Sequence, residues 1–213
     1  MGHIFSVFIN ANNDTLMNYF AHLCLAKDTP ESLVGNLLGD FMRGVDPRAL
    51  RLPVFLGLEN HRQVDRFTDT HPLIRELKDL FDPDCKRFAG IALDIYFDHL
   101  LIKHWERLET RQLEQLNEHY YATLSANQHL MPSARMRTVC SRIVSGRWFD
   151  AYSHQHNTLE AVRRAATRIR FANSFDRACG ELLRNQSEIE AAFLRFYPEL
   201  AAHIKDQMIE ADA

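Results

Sequence analysis

The stretch that decides the fold is FAGIALDIYFDHLLIKHW, residues Phe88–Trp105. Wound as an α-helix, it places Ile91, Leu93, Ile95, Phe97, Leu101 and Ile102 around its whole circumference. A helix that is apolar on all sides belongs at the centre of a bundle. Asp82-Pro83 just upstream is a helix-start signal, so the spacing predicts a helix from about Asp84 to Leu108. Working backwards, Thr70-His71-Pro72 caps and opens a short helix through Leu73, Leu77 and Leu80, and Pro53 opens one carrying Phe55, Leu58 and Val64. Thr29-Pro30-Glu31 supplies an N-cap, a first-turn proline and an acid at the positive end of the helix dipole. That helix runs through Leu33, Leu37 and Leu38 towards a stop at Gly44.

Downstream, helical periodicity covers Leu113–Leu124, Ala134–Val144, Thr158–Ala172 and Phe175–Ile204, with looser connections near Asn127–Pro132 and Gly146–His156. Apolar residues recur at three and four rather than two, and no Asn-Gly or Asp-Gly hairpin turn occurs. With no internal repeat and no low-complexity linker, the expectation is an all-α, single-domain helical bundle.

Composition agrees. The 213 residues are 46% hydrophobic and 25% charged, an ordinary globular balance that excludes a disordered chain. Gly 8 and Pro 7 leave too little punctuation for an all-β sandwich. Cys24, Cys85, Cys140 and Cys179 are scattered without a CxxC pair, which disfavours a zinc knuckle or a disulfide framework and points to reduced thiols in a cytoplasmic protein. The apolar run Ile4–Ile9 lacks the basic flank of a signal peptide, and no segment approaches the ~20 apolar residues that cross a bilayer. Net charge is −3, yet Arg135, Arg137, Arg142, Arg147, Arg163, Arg164, Arg168, Arg170 and Arg177 are opposed in the same stretch only by Asp150, Glu160 and Asp176. That region is expected to attract an acidic partner.

Candidate chemistry lies in carboxylates and imidazoles at helical spacing. Asp94 and Asp98 are four apart in the most apolar helix, where a carboxylate needs a proton, an arginine such as Arg62 or Arg66, or a metal ion. His61, Asp65 and Asp69 in HRQVDRFTD fall at i, i+4 and i+8 and line one helix edge. Arg62 and Arg66 run beside that edge, able to neutralise the acids or to grip phosphate oxygens. Asp40 in GNLLGDFMRG sits near a helix C-terminus, where the dipole disfavours an acid. Asn18 and His22 share a face of the first helix, and His99 and His104 are either supporting donors or surface residues. GxSxG, Walker A, GxGxxG and HExxH motifs are all absent, which disfavours nucleophilic serine or cysteine chemistry. Asp and His side chains drawn from several helices suit Mn²⁺ or Mg²⁺ better than structural zinc, and such an ion polarises a phosphoryl oxygen and activates water.

As an ordered set, MNYFAHLCLA, SLVGNLLGDFMRG, HRQVDRFTDTHP and LDIYFDHLLIKHW resemble the acyl carrier protein phosphodiesterase family, from Met17 to about Tyr197, with an echo in FLRFYPEL. The resemblance implies an all-helical, divergent relative of the HD phosphohydrolases. It also implies a Mn²⁺- or Mg²⁺-dependent removal of 4′-phosphopantetheine from holo-acyl carrier protein. The literal His-Asp dyad of that superfamily is missing; the nearest pairing, Asp98-His99, is reversed. Matching positions make Asp40, His61, Asp65 and Asp98 the leading metal-ligand candidates, with His22, Asp69 and Asp94 behind them and Arg62 positioning phosphate. His22, His61 or His99 would supply the proton to the departing serine oxygen. Family members start at a methionine equivalent to Met17, so residues 1–16 read as an extension and 17–213 as the phosphodiesterase domain. Rival readings are an HD-type hydrolase of a nucleotide or other small phosphoester, and a helical adaptor whose Asp and His stripes are only ion pairs.

Overall fold

In a computed structural model, which describes residues 19–167 and 177–211, the chain is built of helices, and no strand occurs among the described residues. The expected domain boundary at Met17 lies outside them. In order they are α1 (Tyr19–Cys24), α2 (Pro30–Leu38), α3 (Leu52–Thr70), α4 (Pro72–Asp79), α5 (Ala89–Lys103), α6 (Trp105–Leu108), α7 (Leu113–Ala126), α8 (Ala134–Ser145), α9 (Trp148–Ala151), α10 (Gln155–Thr167), α11 (Ala178–Arg184) and α12 (Gln186–Gln207). The start signals act as expected: Thr29 accepts the Ser32 N–H through its hydroxyl, and prolines stand in the first turns of α2, α3 and α4.

The decisive stretch is central. Twelve of the fifteen residues of α5 are buried, and α1, α10, α11 and α12 all pack on it. Aromatic side chains fill the gaps, Phe97 against Phe193 at 5.1 Å and Phe20 against Phe149 at 5.3 Å between ring centroids. All four cysteines are buried and unbonded to one another, and no helix among the described residues is long and apolar enough to cross a membrane.

Several boundaries differ from the sequence expectation: α2 stops at Leu38 short of Gly44, α9 and the first residues of α10 occupy the connection expected near Gly146–His156, and three further differences have a local reason. α5 begins at Ala89 rather than near Asp84, because the Asp82 carbonyl accepts the N–H groups of Cys85 and Lys86 and a 3₁₀ turn, Lys86–Phe88, follows. It ends at His104, whose imidazole is drawn to Glu190 at 2.6 Å. The helix expected over Phe175–Ile204 is two helices, since the Asn185 side chain donates to the Glu181 carbonyl and closes α11. The far end of the Thr158–Ala172 prediction and the start at Phe175 lie outside the described residues.

The tightest junction is between α2 and α3. A Cβ on Gly35 would stand 2.3 Å from the Val54 carbonyl oxygen, and one on Gly57 would stand 2.7 Å from the Ser32 carbonyl oxygen. Both obstacles are backbone, so the two helices touch only because neither residue has a side chain there. The chain then tightens into a 3₁₀ turn, Gly39–Phe41, and bends away at Gly44, whose φ of 77° is left-handed. Gly35→Ala is expected to lower unfolding free energy by about 1–3 kcal/mol in urea titration. Gly180→Ala, on the exposed side of α11 with nothing near its Cβ, is expected to raise it by about 0.5–1 kcal/mol. Losses of equal size at both positions would contradict this picture of the junction.

Candidate functional site

The site grows from the α2–α3 junction. His61 and Asp65 are one turn apart on α3, with His61 Nε2 3.1 Å from Asp65 Oδ2. The other ring nitrogen, Nδ1, is 2.7 Å from the Asn36 carbonyl oxygen of α2, which fixes it as the donor and leaves Nε2 facing the carboxylate. Gly39 makes room for the ring: a Cβ there would fall 2.0–2.5 Å from its atoms. Asn36 itself is buried, and its side-chain oxygen accepts from Asn60 of α3 at 2.9 Å. The imidazole is thus held on one side by α2, on another by the turn that follows it, and on the third by its own helix.

α1 supplies the second imidazole. His22 is 1% exposed, its ring stacks on that of His61 with centroids 4.0 Å apart, and its Nε2 lies 3.4 Å from Asp65 Oδ1. Both Nε2 atoms therefore converge on one carboxylate. What aims α1 is Asp98, deep in α5 and fully buried. Its Oδ1 accepts the Ala21 N–H at 2.9 Å and its Oδ2 the Phe20 N–H at 3.1 Å.

Two more acids lie within electrostatic reach of the cluster. Asp40, in the 3₁₀ turn after α2, has a buried Oδ2 without a hydrogen-bond partner. Burial pushes its carboxyl up to about 7, against the pull of His61 and Arg135. Asp94 on α5 is held well above the usual carboxylate range by burial and by the charges of Asp65, Asp69 and Asp40, with Lys78 acting in the opposite sense. The stacked rings divide their protonation. Burial and the neighbouring His61 push His22 down to about 4. Burial would lower His61 as well, but Asp65, Asp40 and the Asn36 carbonyl lift it to about 9. Asp65 in turn falls below the carboxylate range, since the two imidazoles outweigh its burial.

Of the residues expected from sequence, the structure brings His22, His61 and Asp65 within ligand distance of one another, with Asp40 and Asp94 close enough to feel their charge. Asp98 does not join them: both of its oxygens are taken by α1 amides, so it is a helix cap and not an ion partner of Arg62 or Arg66. Asp69 has turned to the exposed side of α3 and pairs with Lys78 at 3.3 Å. Arg62 points outward to Glu59 at 2.5 Å, and Arg66 donates to Gln63, both one turn back on α3. The His99 ring is turned to the Tyr152 carbonyl at 2.8 Å and packs beside Tyr96, with no contact to the cluster. In the arginine-rich stretch, Arg147 pairs with Glu118 and Asp150, Arg163 with Glu160, and Arg177 with Asp84. Asn18, Arg168, Arg170 and Asp176 lie outside the described residues. Sequence reasoning passed over Gly39 and Asn36. The Gly39-Asp40 dipeptide was a visible signal, but nothing local announced that an imidazole would press on that glycine.

His22, His61 and Asp65 each offer a ligand atom within 4.8 Å of the others, a spacing one divalent ion can bridge. His22 has both ring nitrogens buried without a completed hydrogen bond, and Asp40 has its orphaned Oδ2. Buried polar atoms left unsatisfied are costly, and in such a donor set a cation satisfies them. The fold and cluster together define an all-helical protein with an acidic, two-histidine site sunk between α1, α2 and α3. The family model for acyl carrier protein phosphodiesterase matches residues 17–200, and the chain belongs to that family. Relatives bearing that name include one from Serratia proteamaculans, 32% identical over 91% of this chain and 100% of its own length. Others are from Enterobacter sp. (31%) and Yersinia enterocolitica (30%), each likewise matched over 91% of this chain and the whole of its own. No solved structure matches.

Ring-proton NMR of the metal-free protein is expected to give His22 a midpoint near 4 and His61 one near 9. Asp65→Asn should bring the His61 midpoint down towards or below its ordinary 6.5, because burial then acts with less opposition. With its folded value raised above 6.5, His61 stabilises the metal-free fold fully below pH 6.5, and that contribution is lost as pH rises through about 9. Equal midpoints for the two rings would contradict the stacked, singly protonated arrangement.

Proposed function

We propose that this protein hydrolyses the phosphodiester linking 4′-phosphopantetheine to holo-acyl carrier protein, releasing apo-carrier protein and free 4′-phosphopantetheine. The observation that carries the reading is the convergence of His22 and His61 on the Asp65 carboxylate, in a chain of this family. The donor set fits Mn²⁺, with Mg²⁺ as the alternative. Imidazole nitrogens mixed with carboxylate oxygens suit a borderline ion, and no thiol lines the cluster. His22, His61, Asp65 and Asp40 would hold it. A divalent cation bound there supplies Lewis-acid polarisation of the phosphoryl group and an activated water.

The chain's own residues prepare that chemistry. The Asn36 carbonyl keeps a proton on His61 Nδ1, so the proton an incoming ion would displace is the one Nε2 donates to Asp65. His22 stays neutral through burial beside His61, which keeps it a competent ligand near neutral pH. Asp98 and Gly39 hold the two imidazoles in register, one by capping α1 and the other by leaving space for a ring. Asp65 is ionised in the metal-free protein, while burial favours the protonated forms of Asp40 and Asp94, so a cation entering beside Asp65 would take the place of those protons.

Mass spectrometry of holo-acyl carrier protein incubated with the protein and Mn²⁺ is expected to show loss of the phosphopantetheinyl arm. In ¹⁸O-water the label should enter the phosphate of the released arm. Chelator should stop the reaction, and His22→Ala, Asp40→Ala, His61→Ala and Asp65→Ala should each lower kcat by about 10²-fold or more. Undiminished turnover in chelator, or by all four variants, would defeat the reading. Turnover of a small phosphoester with the carrier protein untouched would favour a small-molecule hydrolase.

A further inference from the structure

His61 is oriented by the Asn36 carbonyl, so whatever fixes Asn36 fixes the imidazole. The Asn36 side chain lies in a buried polar network. Its oxygen accepts from Asn60, whose amide also donates at 3.2 Å to the carbonyl of Leu25, the residue after α1. Its nitrogen donates to the Ser32 carbonyl at 3.1 Å and reaches Glu210 Oε1 at 3.5 Å. The other carboxylate oxygen of Glu210 accepts the Lys27 N–H at 3.0 Å, and the Lys27 ammonium donates to the Glu210 carbonyl at 3.3 Å. One side chain therefore joins the connection leaving α1, the helix of His22, to the helix whose carbonyl orients His61.

Glu210 reaches this place through a sharp turn. α12 stops at Gln207, and Met208 takes a φ of 50° in the left-handed region, where a residue with a Cβ is strained. Met208 is 68% exposed, so packing of its own side chain does not explain the turn. What the turn achieves is the return of Glu210, 8% exposed, into the protein. Close packing does not hold the segment either, because a cavity of about 460 Å³ lies against it, with Cys24, Asn60, Ile204 and Glu210 among its walls. The hydrogen bonds of the carboxylate fasten it instead.

We infer that Glu210 is a positioning residue of the site: its carboxylate ties the connection after α1 to Asn36, and through the Asn36 carbonyl it holds the His61 imidazole for a divalent ion. The family match ends at residue 200, short of Glu210. The inference rests on the metal-dependent reading for the ion, and on the hydrogen-bond network for the placement of Glu210. Groups that orient a ligand contribute to ion affinity without touching the ion, and their loss weakens it about 10–100-fold.

The test compares full-length wild type with Glu210→Ala, Glu210→Gln, which keeps the size and one acceptor oxygen, and Asp206→Ala, which removes an exposed acid of α12 as a charge control. In ¹⁵N-edited NMR of the metal-free proteins, exchange of the His61 Nδ1 proton with water is expected to quicken at least tenfold in Glu210→Ala and at least threefold in Glu210→Gln. The His99 Nδ1 proton, held by the Tyr152 carbonyl away from the cluster, should exchange as in wild type. Mn²⁺ titration followed by EPR should show the Kd raised about tenfold or more in Glu210→Ala and by less in Glu210→Gln. At saturating Mn²⁺, kcat on bis(4-nitrophenyl) phosphate should return to within threefold of wild type, which places the defect in ion binding. Asp206→Ala should match wild type throughout. His61 proton exchange and Mn²⁺ affinity within twofold of wild type in both Glu210 variants would overturn the inference, as would equal acceleration at His61 and His99, the mark of general loosening. If wild type binds no Mn²⁺, the metal-dependent reading fails by itself, and the His61 exchange rates still decide whether Glu210 holds the imidazole.

Discussion

The interaction on which the rest of the structure depends is the Asp98 carboxylate receiving two amide protons from α1. A lone carboxylate inside the most apolar helix of the chain would cost several kcal/mol. Burial does raise its carboxyl to about 8, while the Ala21 and Phe20 amides pull the other way. α1 gains in return. Its six described residues are far too few for a helix to stand alone in water, so its position is dictated by what it touches. Asp98 ties down the amides of the two residues before His22. The central helix thereby decides where the first imidazole of the site stands.

The second imidazole is placed by the opposite means, absence rather than attraction. Gly35 and Gly57 let α2 and α3 meet at backbone contact, and Gly39 leaves room for the His61 ring. The close approach also brings the Asn36 carbonyl to His61 Nδ1, so packing sets a tautomer. Once stacked at 4.0 Å, the two rings do not share the same protonation: a charge on His61 disfavours one on His22. One carboxylate, Asp65, then serves both. The outcome is a rigid donor set with unsatisfied polar atoms, the state that a bound cation relieves.

Much of this was legible in the sequence because the signals are local. Thr29-Pro30 and His71-Pro72 start helices where they should, and the i, i+4 spacing of His61 and Asp65 does put both on one edge. The limits of periodicity show in the next steps along the same helices. Asp69 belongs to the same stripe by spacing, yet a straight helix drifts over eight residues and a nearby Lys78 claims it. Asp94 and Asp98 share a face by the same rule but meet different neighbours, one the acidic cluster and the other the start of α1. Arg62 stands one residue from His61, which on a helix turns it about 100° away. Long-range partners such as the Asp98 cap, 77 and 78 residues distant in sequence, leave no local trace.

Asp98 and the glycine junction together bring His22 and His61 to a shared carboxylate, the place where we propose that a divalent ion binds. The measurement that addresses it most directly is anomalous diffraction at the manganese edge from crystals grown with Mn²⁺. The expected result is a peak bounded by the His22 and His61 rings and the Asp65 carboxylate, and weakened when Asp98→Ala releases α1. A manganese peak seated elsewhere, on Asp69 or at a surface acid, with the His22–His61 pair left bare, would contradict it.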